Sequence, residues 1–272
     1  DRSGAEVFRL DREISSDKNT DIGGLKAMLL ARGDHQADYT DIEKDYSAVS
    51  ESVIMNIQAE FDQLVHNIAE KVNSILAEAA GVMQGDLTLA DGTVLTDVHF
   101  CEDVVNGYMR KEDGSPIQMF AKITTDAYHK VSGADGKEYW VYANEDFARQ
   151  DSLYTLKNIR IDEELQQKPA SLSFMKRDGS VDIETAEKLK DAFTEEVYTL
   201  NPEVKKRTTF LDYYNDLISQ VANSGSVYRS IFTNQEDTVE ATENARQQII
   251  GVSSDEELSN MIRFQNAFNA SS

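Results

Sequence analysis

Residues 57–79 read IQAEFDQLVHNIAEKVNSILAEA, and the apolar residues in this stretch recur at alternating steps of three and four. Such spacing is typical of an α-helix with a coiled-coil-like seam. The seam consists of Ile57, Phe61, Leu64, Ile68, Val72, Ile75 and Ala79. The polar residues Glu60, Asp62, Asn67, Glu70 and Asn73 face elsewhere. The periodic pattern extends back to about residue 41 and predicts helix over 41–80.

A second periodic run begins at Thr208 and continues for about 40 residues, which corresponds to a rod of about 60 Å. Two sets of residues spaced seven apart form its seam: Phe210, Leu217, Ser224, Ile231, Thr238 and Ala245, and Tyr214, Val221, Tyr228, Gln235, Thr242 and Ile249. The second half of this seam is polar, so the rod needs a partner surface to be stable. We expect residues 41–80 to pack lengthwise against 205–250.

The chain ends with signals for one more helix. Gly251 is a typical residue after a helix C-terminus. Ser253 and Glu256 have the spacing of a capping box, in which each side chain hydrogen-bonds a backbone amide at the start of the next helix. The stripe of that helix comprises Leu258, Met261, Ile262, Gln265 and Phe268.

The middle of the chain has a different residue pattern, in which short runs of β-forming residues are separated by Asx-Gly pairs. These pairs tolerate the positive φ angles of tight hairpin turns. They are Asp91-Gly92, Asn106-Gly107, Asp113-Gly114 and Asp135-Gly136, and the β-forming runs are 93–100, 117–125 and 137–142. The pattern predicts a small antiparallel β domain with 139–142 as its core strand. For residues 163–200 the pattern again predicts helix, and the prediction is strongest over 183–197.

These patterns predict an α+β protein in which both ends of the chain form an elongated bundle of long helices and a small antiparallel β domain is inserted between them. Residues 1–80 would form the first part of the helical domain and 201–272 its second part. Residues 81–200 would form the inserted β-rich domain with its helical return segment. A short helix, 22–30, ended by Gly33, is also expected.

Composition excludes several classes of function. The 272 residues include 27 Lys and Arg against 49 Asp and Glu, a formal net charge of −22. Such an acidic chain repels nucleic-acid phosphates and anionic lipid headgroups, so we expect neither nucleic acid nor membrane as a partner. No apolar run approaches the roughly 20 residues of a membrane helix. The one cysteine, Cys101, cannot form an internal disulfide.

No residue pattern indicates an enzyme, a cofactor or a metal site. The four histidines lie in different segments without metal-ligand spacing. Cys101 and His99 are two apart, so a contact on one strand face is possible, but no orienting Asn or Asp is indicated. Residues 17–21 begin like a calcium loop, yet the glycine is one place late at Gly23, and Met28 replaces the bidentate Glu.

The C-terminal sequence carries a resemblance to a known family. Residues 251–257 read GVSSDEE and 260–270 read NMIRFQNAFNA. This closely resembles the C-terminal signature of bacterial flagellar rod, hook and hook-associated proteins, a turn followed by a helix with Ile-x-Phe-Gln-x-Ala-Phe-x-Ala. The stretches 23–34, 61–73 and 209–218 resemble the hook-associated members best. The β region from residue 81 to 162 matches no pattern of the family.

The resemblance implies a structural, non-enzymatic subunit that joins the flagellar hook to the filament and is secreted to the extracellular flagellum. Its partners would be other copies of itself, neighbouring hook and hook-associated subunits, and an export chaperone. The chain would be the core of a longer protein that lacks both terminal regions. We expect the structural and interaction residues to be Phe61, Leu64, Ile68, Val72, Phe210, Tyr214, Leu217, Val221, Ser253, Glu256, Ile262 and Gln265.

Two alternatives stay open at this point. A hook or distal-rod subunit would share the C-terminal signature, although the long helix and residues 209–218 favour a hook-associated protein. A flagellar protein with an enzymatic insertion in the β region would need convergent His, Glu and Asp side chains there, and none is visible by spacing.

Overall fold

A computed structural model describes residues 28–29, 31–105, 107–176, 178–250 and 254–271. The helices are α1 (Tyr39–Ser50), α2 (Val53–Ala79), α3 (Glu163–Gln167), α4 (Ile183–Ala192), α5 (Phe210–Ile250) and α6 (Ser254–Ser271). The strands are β1 (Met83–Thr88), β2 (Val94–Glu102), β3 (Phe120–Lys122), β4 (Tyr128–Ser132), β5 (Glu138–Tyr142) and β6 (Ile159–Ile161). Short 3-10 turns occupy Gln150–Ser152 and Pro169–Ser171.

The chain divides into two compact units, one that extends to Ser219 and one that begins at Gln220. All six strands lie in the first unit. A mixed α and β fold with a small antiparallel sheet is therefore confirmed. The elongated bundle formed by both ends is not confirmed, and the predicted division at residues 80 and 200 stays a prediction.

The helix expected over 41–80 is two helices separated by a break at residues 51–52. Asp38 caps α1, and its carboxylate accepts a hydrogen bond from the Thr40 N–H. Ser52 caps α2 and accepts one from the Met55 N–H. The break lets α1 fold back on α2, and their contact buries an apolar cluster. That cluster consists of Ala37, Ile42, Val49, Met55 and Ala59.

The larger sheet has the strand order β1-β2-β5-β4, and every pair in it is antiparallel. Its two edges meet at the hairpin ends, where Leu89 bridges to Gly133 and the Ala90 and Ala134 N–H groups donate to the Ser132 and Thr88 carbonyls. The sheet thus closes partly on itself around an apolar centre. Leu87, Phe100 and Val141 are buried there. β3 and β6 form a separate two-stranded sheet.

The Asx-Gly signals locate the hairpins well. Gly92, Gly114 and Gly136 have φ angles of +85°, +91° and +80°, which glycine adopts without strain. The core strand predicted at 139–142 lies in β5, which is paired on both sides. Asn106 lies outside the described residues.

Other strand and helix expectations need correction. The strand predicted over 117–125 is only three residues long in the structure, where it forms β3. It ends at Lys122, because the N–H groups of Ile123 and Thr124 donate hydrogen bonds to the Asn158 side chain and not to a neighbouring strand. The helix expected over 183–197 ends at Ala192. Strands β1, β4 and β6 were not anticipated by the pattern. The helix expected over 22–30 lies mostly outside the described residues, although Gly33 has φ +79° and its N–H donates to the Leu29 carbonyl, as expected at a helix end.

Helix α2 contributes to all three helical clusters of the first unit. Its N-terminal part packs on α1, its middle on the start of α5, and its C-terminal part on the segment before β3 and on α3. The cluster at its C-terminal part buries Val72, Leu76, Ala80, Met109, Ile117 and Leu165. A helix buried on several sides differs from the predicted single seam.

The start of α5 packs against the middle of α2 through a stripe of three residues: Phe210, Tyr213 and Leu217. These contact Leu64 and Leu200. Lengthwise packing of 41–80 against 205–250 is not confirmed, because the seam residues of α5 from Tyr228 to Ala245 are exposed. Phe61 was expected in the buried seam, and this is wrong: it is 37% exposed, whereas the buried face of α2 at this level carries Glu60 and Asp62.

We predict that Leu217→Asp destabilises the first unit by more than about 3 kcal/mol, because it removes buried apolar contacts and buries a charge without a partner. Leu217 is 3% exposed, whereas the adjacent Ile218 is 50% exposed. Ile218→Asp is the matched control and should cost about 1 kcal/mol or less. Urea unfolding followed by circular dichroism measures both. Equal losses for the two variants would contradict this packing.

Candidate functional site

The first polar junction of the molecule joins α2 to the start of α5. Glu60 and Tyr213 are both fully buried. The Tyr213 hydroxyl lies 2.8 Å from the Glu60 carbonyl and 3.1 Å from the Leu200 carbonyl, either of which can accept its proton. The Asn201 side-chain amide donates to Glu60 Oε1 at 2.7 Å. These bonds fix α2, the loop at 200–201 and α5 relative to one another.

A second junction is formed by Asp62 and His66, further along α2. The Asp62 carboxylate accepts hydrogen bonds from the Tyr39 N–H at 3.0 Å and from the Leu156 N–H at 2.6 Å. The Tyr39 ring stacks on the His66 ring at a centroid distance of 3.8 Å, and the Tyr39 hydroxyl donates to Glu145 at 2.8 Å. One buried cluster therefore ties the start of α1 and the loop after β5 to α2.

The ionisable groups of this second junction have altered pKa values. Burial raises the pKa of Asp62 to about 6, although its two N–H donors oppose that change. Burial by itself would lower the pKa of His66, but the carboxylates of Glu70, Glu145 and Asp62 outweigh it, so this pKa is raised. His66 Nε2 is 3.5 Å from Glu70, and its Nδ1 is 3.7 Å from Glu145. The cluster favours a protonated His66.

A third junction connects α2 with the β region. Asn73 Oδ1 accepts hydrogen bonds from the Met119 and Phe120 N–H groups, and Nδ2 donates to the Phe120 carbonyl at 2.7 Å. Arg110 donates to the Ala80 carbonyl at the end of α2 and to Cys101 Sγ on β2. The Asn73 and Arg110 side chains thus hydrogen-bond to backbone N–H and C=O groups at the third junction, which need partners when they are buried.

The chemistry considered for Cys101 and His99 has no support in this geometry. Cys101 is buried, and burial raises the pKa of its thiol despite the neighbouring Arg110. A raised pKa leaves less thiolate for nucleophilic attack. His99 is exposed, and no bond joins it to Cys101. Among the described residues, no group of three or more His, Cys, Asp or Glu side chains is placed to hold a metal ion.

The predicted interaction residues occupy different environments. Leu64, Val72, Phe210 and Leu217 are buried, and Ile68 and Val221 are half-buried. Phe61, Tyr214, Glu256, Ile262 and Gln265 are exposed, and Ser253 lies outside the described residues. The buried members help to hold the first unit together. The interaction roles of all twelve stay predictions.

The exposed apolar residues of the second unit form stripes on its helices. On α5, Tyr228, Phe232 and Val239 are spaced four and seven apart and are 54%, 61% and 69% exposed. On α6, the exposed apolar residues are Leu258, Met261, Ile262, Phe264 and Phe268. Exposed apolar stripes of this kind are common on surfaces that bind another molecule. None of the helices in the described part of the chain combines the length and apolarity needed to cross a membrane.

The sequence is similar to Flagellar hook-associated protein 1 of Bacillus subtilis (strain 168), with 34% identity over 106 residues. The match covers 39% of this chain and 20% of the relative, so the chain spans about a fifth of the relative's length. It supports a relationship to flagellar hook-associated proteins, not to one particular member. No family model matches the chain, and no solved structure matches it.

The sequence pattern missed the residues that form the junctions. Glu60, Asp62 and Asn73 lie off the predicted seam, where polar residues usually meet solvent, yet all three are buried. Tyr213 was missed because Tyr214 fits the seven-residue spacing, whereas the buried stripe uses the step of three from Phe210. An Asp and a Glu that flank an apolar seam carry no local signal of burial.

We predict that Tyr213→Phe lowers the free energy of unfolding by about 1–3 kcal/mol, because it removes a proton donor to the buried Glu60 and Leu200 carbonyls while it keeps the ring. Tyr214→Phe is the matched control, since Tyr214 is 44% exposed and should lose less than about 0.5 kcal/mol. Urea unfolding of the two variants measures the difference. An unchanged stability of Tyr213→Phe would show that the junction contributes nothing.

We predict that stability falls as the pH rises from about 6 to 8. The raised pKa of His66 means that its protonated form contributes stability in full below about pH 6.5, and this is lost as the pH passes the folded-state pKa. The pKa of about 6 for Asp62 acts in the same direction at lower pH, because the folded chain retains that proton above the unfolded value of 3.8.

Thermal unfolding across this pH range checks the prediction with two variants. His66→Gln should flatten the decline of Tm, whereas His129→Gln should leave it unchanged because His129 is exposed. A decline that is equally steep in His66→Gln would assign the pH dependence to other groups.

Proposed function

We propose that the chain is a structural subunit of the bacterial flagellum that joins the hook to the filament as a hook-associated junction protein. Two features of the sequence support this: the similarity to a flagellar hook-associated protein and the C-terminal sequence signature at residues 251–270. In this proposal the protein is secreted, works in the extracellular flagellum and has no catalytic activity.

The observation that carries the proposal is the apolar stripe of α5, which remains exposed over Tyr228, Phe232 and Val239. Most of the stability of a helix in a protein comes from packing of its apolar face, and this 41-residue helix leaves that face exposed over most of its length. A second helix laid along the stripe would bury these rings and supply the missing stability. A subunit that becomes fully packed only within an assembly has this kind of surface.

The proposed role also indicates which residues contact partners and which segments of the chain take part in assembly. We expect the exposed residues Tyr214, Glu256, Ile262 and Gln265 to contact other copies of the chain or neighbouring hook and hook-associated subunits. An export chaperone would bind the terminal region of the full protein. Residues 1–80 and 201–272 would then form the assembly part, and 81–200 an inserted module.

Removal of the gene tests the proposal in the bacterium of origin. A junction protein is needed between hook and filament, so electron microscopy should show hooks that carry no filaments. Loss of the hook itself would instead indicate a hook or distal-rod subunit, and normal filaments would contradict a flagellar structural role.

We predict that Phe232→Asp in the complementing gene abolishes filament attachment, because a charge in the stripe prevents its burial against a helix. Asn234→Asp is the matched control, since it adds the same charge about 160° away around the helix axis and should restore filaments. Both positions are exposed, so circular dichroism should show the same melting temperature for both purified variants within about 2 °C. Restored filaments with Phe232→Asp would contradict an assembly role for the stripe.

A further inference from the structure

A cleft of about 410 Å³ lies between the C-terminal half of α2 and the larger sheet, a volume typical of small-molecule sites. Its sheet wall contains a row of four side chains, one from each strand: Gln84 on β1, His99 on β2, Tyr142 on β5 and Tyr128 on β4. Gln84 is the pairing partner of His99, and Tyr142 is that of Tyr128. β2 and β5 begin their pairing at the residues next to His99 and Tyr142. Paired residues project to the same face of a sheet, so the row forms one continuous wall.

The opposite wall of the cleft is one face of α2. Its lining residues follow the helical steps of three and four: Glu70, Asn73, Ser74, Ala77 and Glu78. Glu70 and Glu78 are exposed, and the Asn73 side chain is used at the third junction. No lysine or arginine of the described chain lines the cleft. An anion would therefore meet two carboxylates without a strongly basic side chain to bind it.

Two buried side chains of the lining keep unused hydrogen-bonding groups. Tyr128 is 9% exposed, and its hydroxyl has no hydrogen-bond partner among the described residues. Gln118 is 5% exposed, and its side-chain amide donates one hydrogen bond, to the Tyr154 hydroxyl, so its second N–H is unused. Buried polar groups in folded proteins nearly always have partners. These two groups therefore point to a polar occupant of the cleft.

The charges around the cleft favour an uncharged occupant. Each lining carboxylate already has a basic partner, since Glu70 lies 3.5 Å from His66 and Glu78 lies 2.7 Å from Lys188. A cation is thus not needed to neutralise them. An ammonium group only donates hydrogen bonds, so it would leave the Gln118 N–H without an acceptor. A hydroxyl group can accept from that N–H and donate to a carboxylate without adding a charge.

We propose that this cleft binds a neutral saccharide of one or two rings, whose hydroxyl groups accept hydrogen bonds from Tyr128 and Gln118 and donate to Glu70 or Glu78. The rings of Tyr128 and Tyr142 lie with their centroids 5.4 Å apart at an angle of 63°. They supply apolar surface for the C–H groups of a sugar ring, beside the polar groups that bind its hydroxyls. This site is separate from the α5 stripe and does not depend on the proposed flagellar role.

Nuclear magnetic resonance of the unchanged chain tests the site with five neutral sugars: glucose, galactose, N-acetylglucosamine, maltose and cellobiose. At least one of them should move the side-chain amide signal of Gln118 saturably, whereas glycerol at the same concentration should not. Sodium acetate and tetramethylammonium chloride test the choice of an uncharged ligand, and each should act more weakly than the best sugar. The absence of a saturable shift with all five sugars would overturn the proposal, as would a larger shift with either salt.

Tyr128→Phe provides a second test, because it keeps the ring and removes a hydroxyl that has no partner within the described chain. Its Tm should stay within about 2 °C of that of the unchanged chain, while its affinity for the best sugar falls about three- to tenfold. Tyr139→Phe is the matched control, since the Tyr139 hydroxyl bonds Asp135 outside the cleft and its loss should leave the affinity unchanged. Equal affinities of the two variants would contradict the proposal. A loss of more than about 5 °C in Tyr128→Phe would also contradict it, by showing that the protein itself satisfies this hydroxyl.

Discussion

The rest of the first unit depends on one constraint, which is that α2 carries buried polar side chains that satisfy the backbone of irregular segments. Asp62 accepts hydrogen bonds from two N–H groups that lie 94 and 23 residues away in sequence. Asn73 does the same for the segment that leads into β3. Loops that pack on a helix need such partners, because a buried N–H without an acceptor costs about 1–3 kcal/mol. The helix is therefore both an apolar wall and a source of hydrogen-bond acceptors.

This arrangement makes the first unit cohesive despite its strong negative charge. Long-range ion pairs such as Lys111–Asp162, Lys71–Glu195 and Lys188–Glu78 join segments distant in sequence. The more exposed of these pairs contribute little individually. The buried contacts at Glu60, Asp62 and Asn73 contribute more, because removal of one partner leaves the other unsatisfied in a low-dielectric interior.

The second unit follows a different principle. Its described residues on α5 beyond Gln220 are almost all exposed, as are those of α6. The first unit buries several apolar clusters within its own chain, whereas the large apolar residues of α6 and of α5 from Val227 to Val239 are exposed. Under the proposed flagellar role, this division would let one part fold alone while another completes its packing only with a partner.

Periodicity and turn chemistry by themselves determined the existence of the long helices, the positions of three hairpin turns and the central strand β5, because these depend on local spacing and on positive φ angles. The tertiary structure alone decided which helix faces are buried. Phe61 and Tyr214 fit the apolar spacing but are exposed, whereas Glu60, Asp62 and Tyr213 are buried. Steps of three and four are both compatible with one helix face, so the spacing cannot choose between adjacent residues. Which of two adjacent residues is buried depends on hydrogen-bond donors and acceptors from segments distant in sequence, and a local pattern carries no information about them.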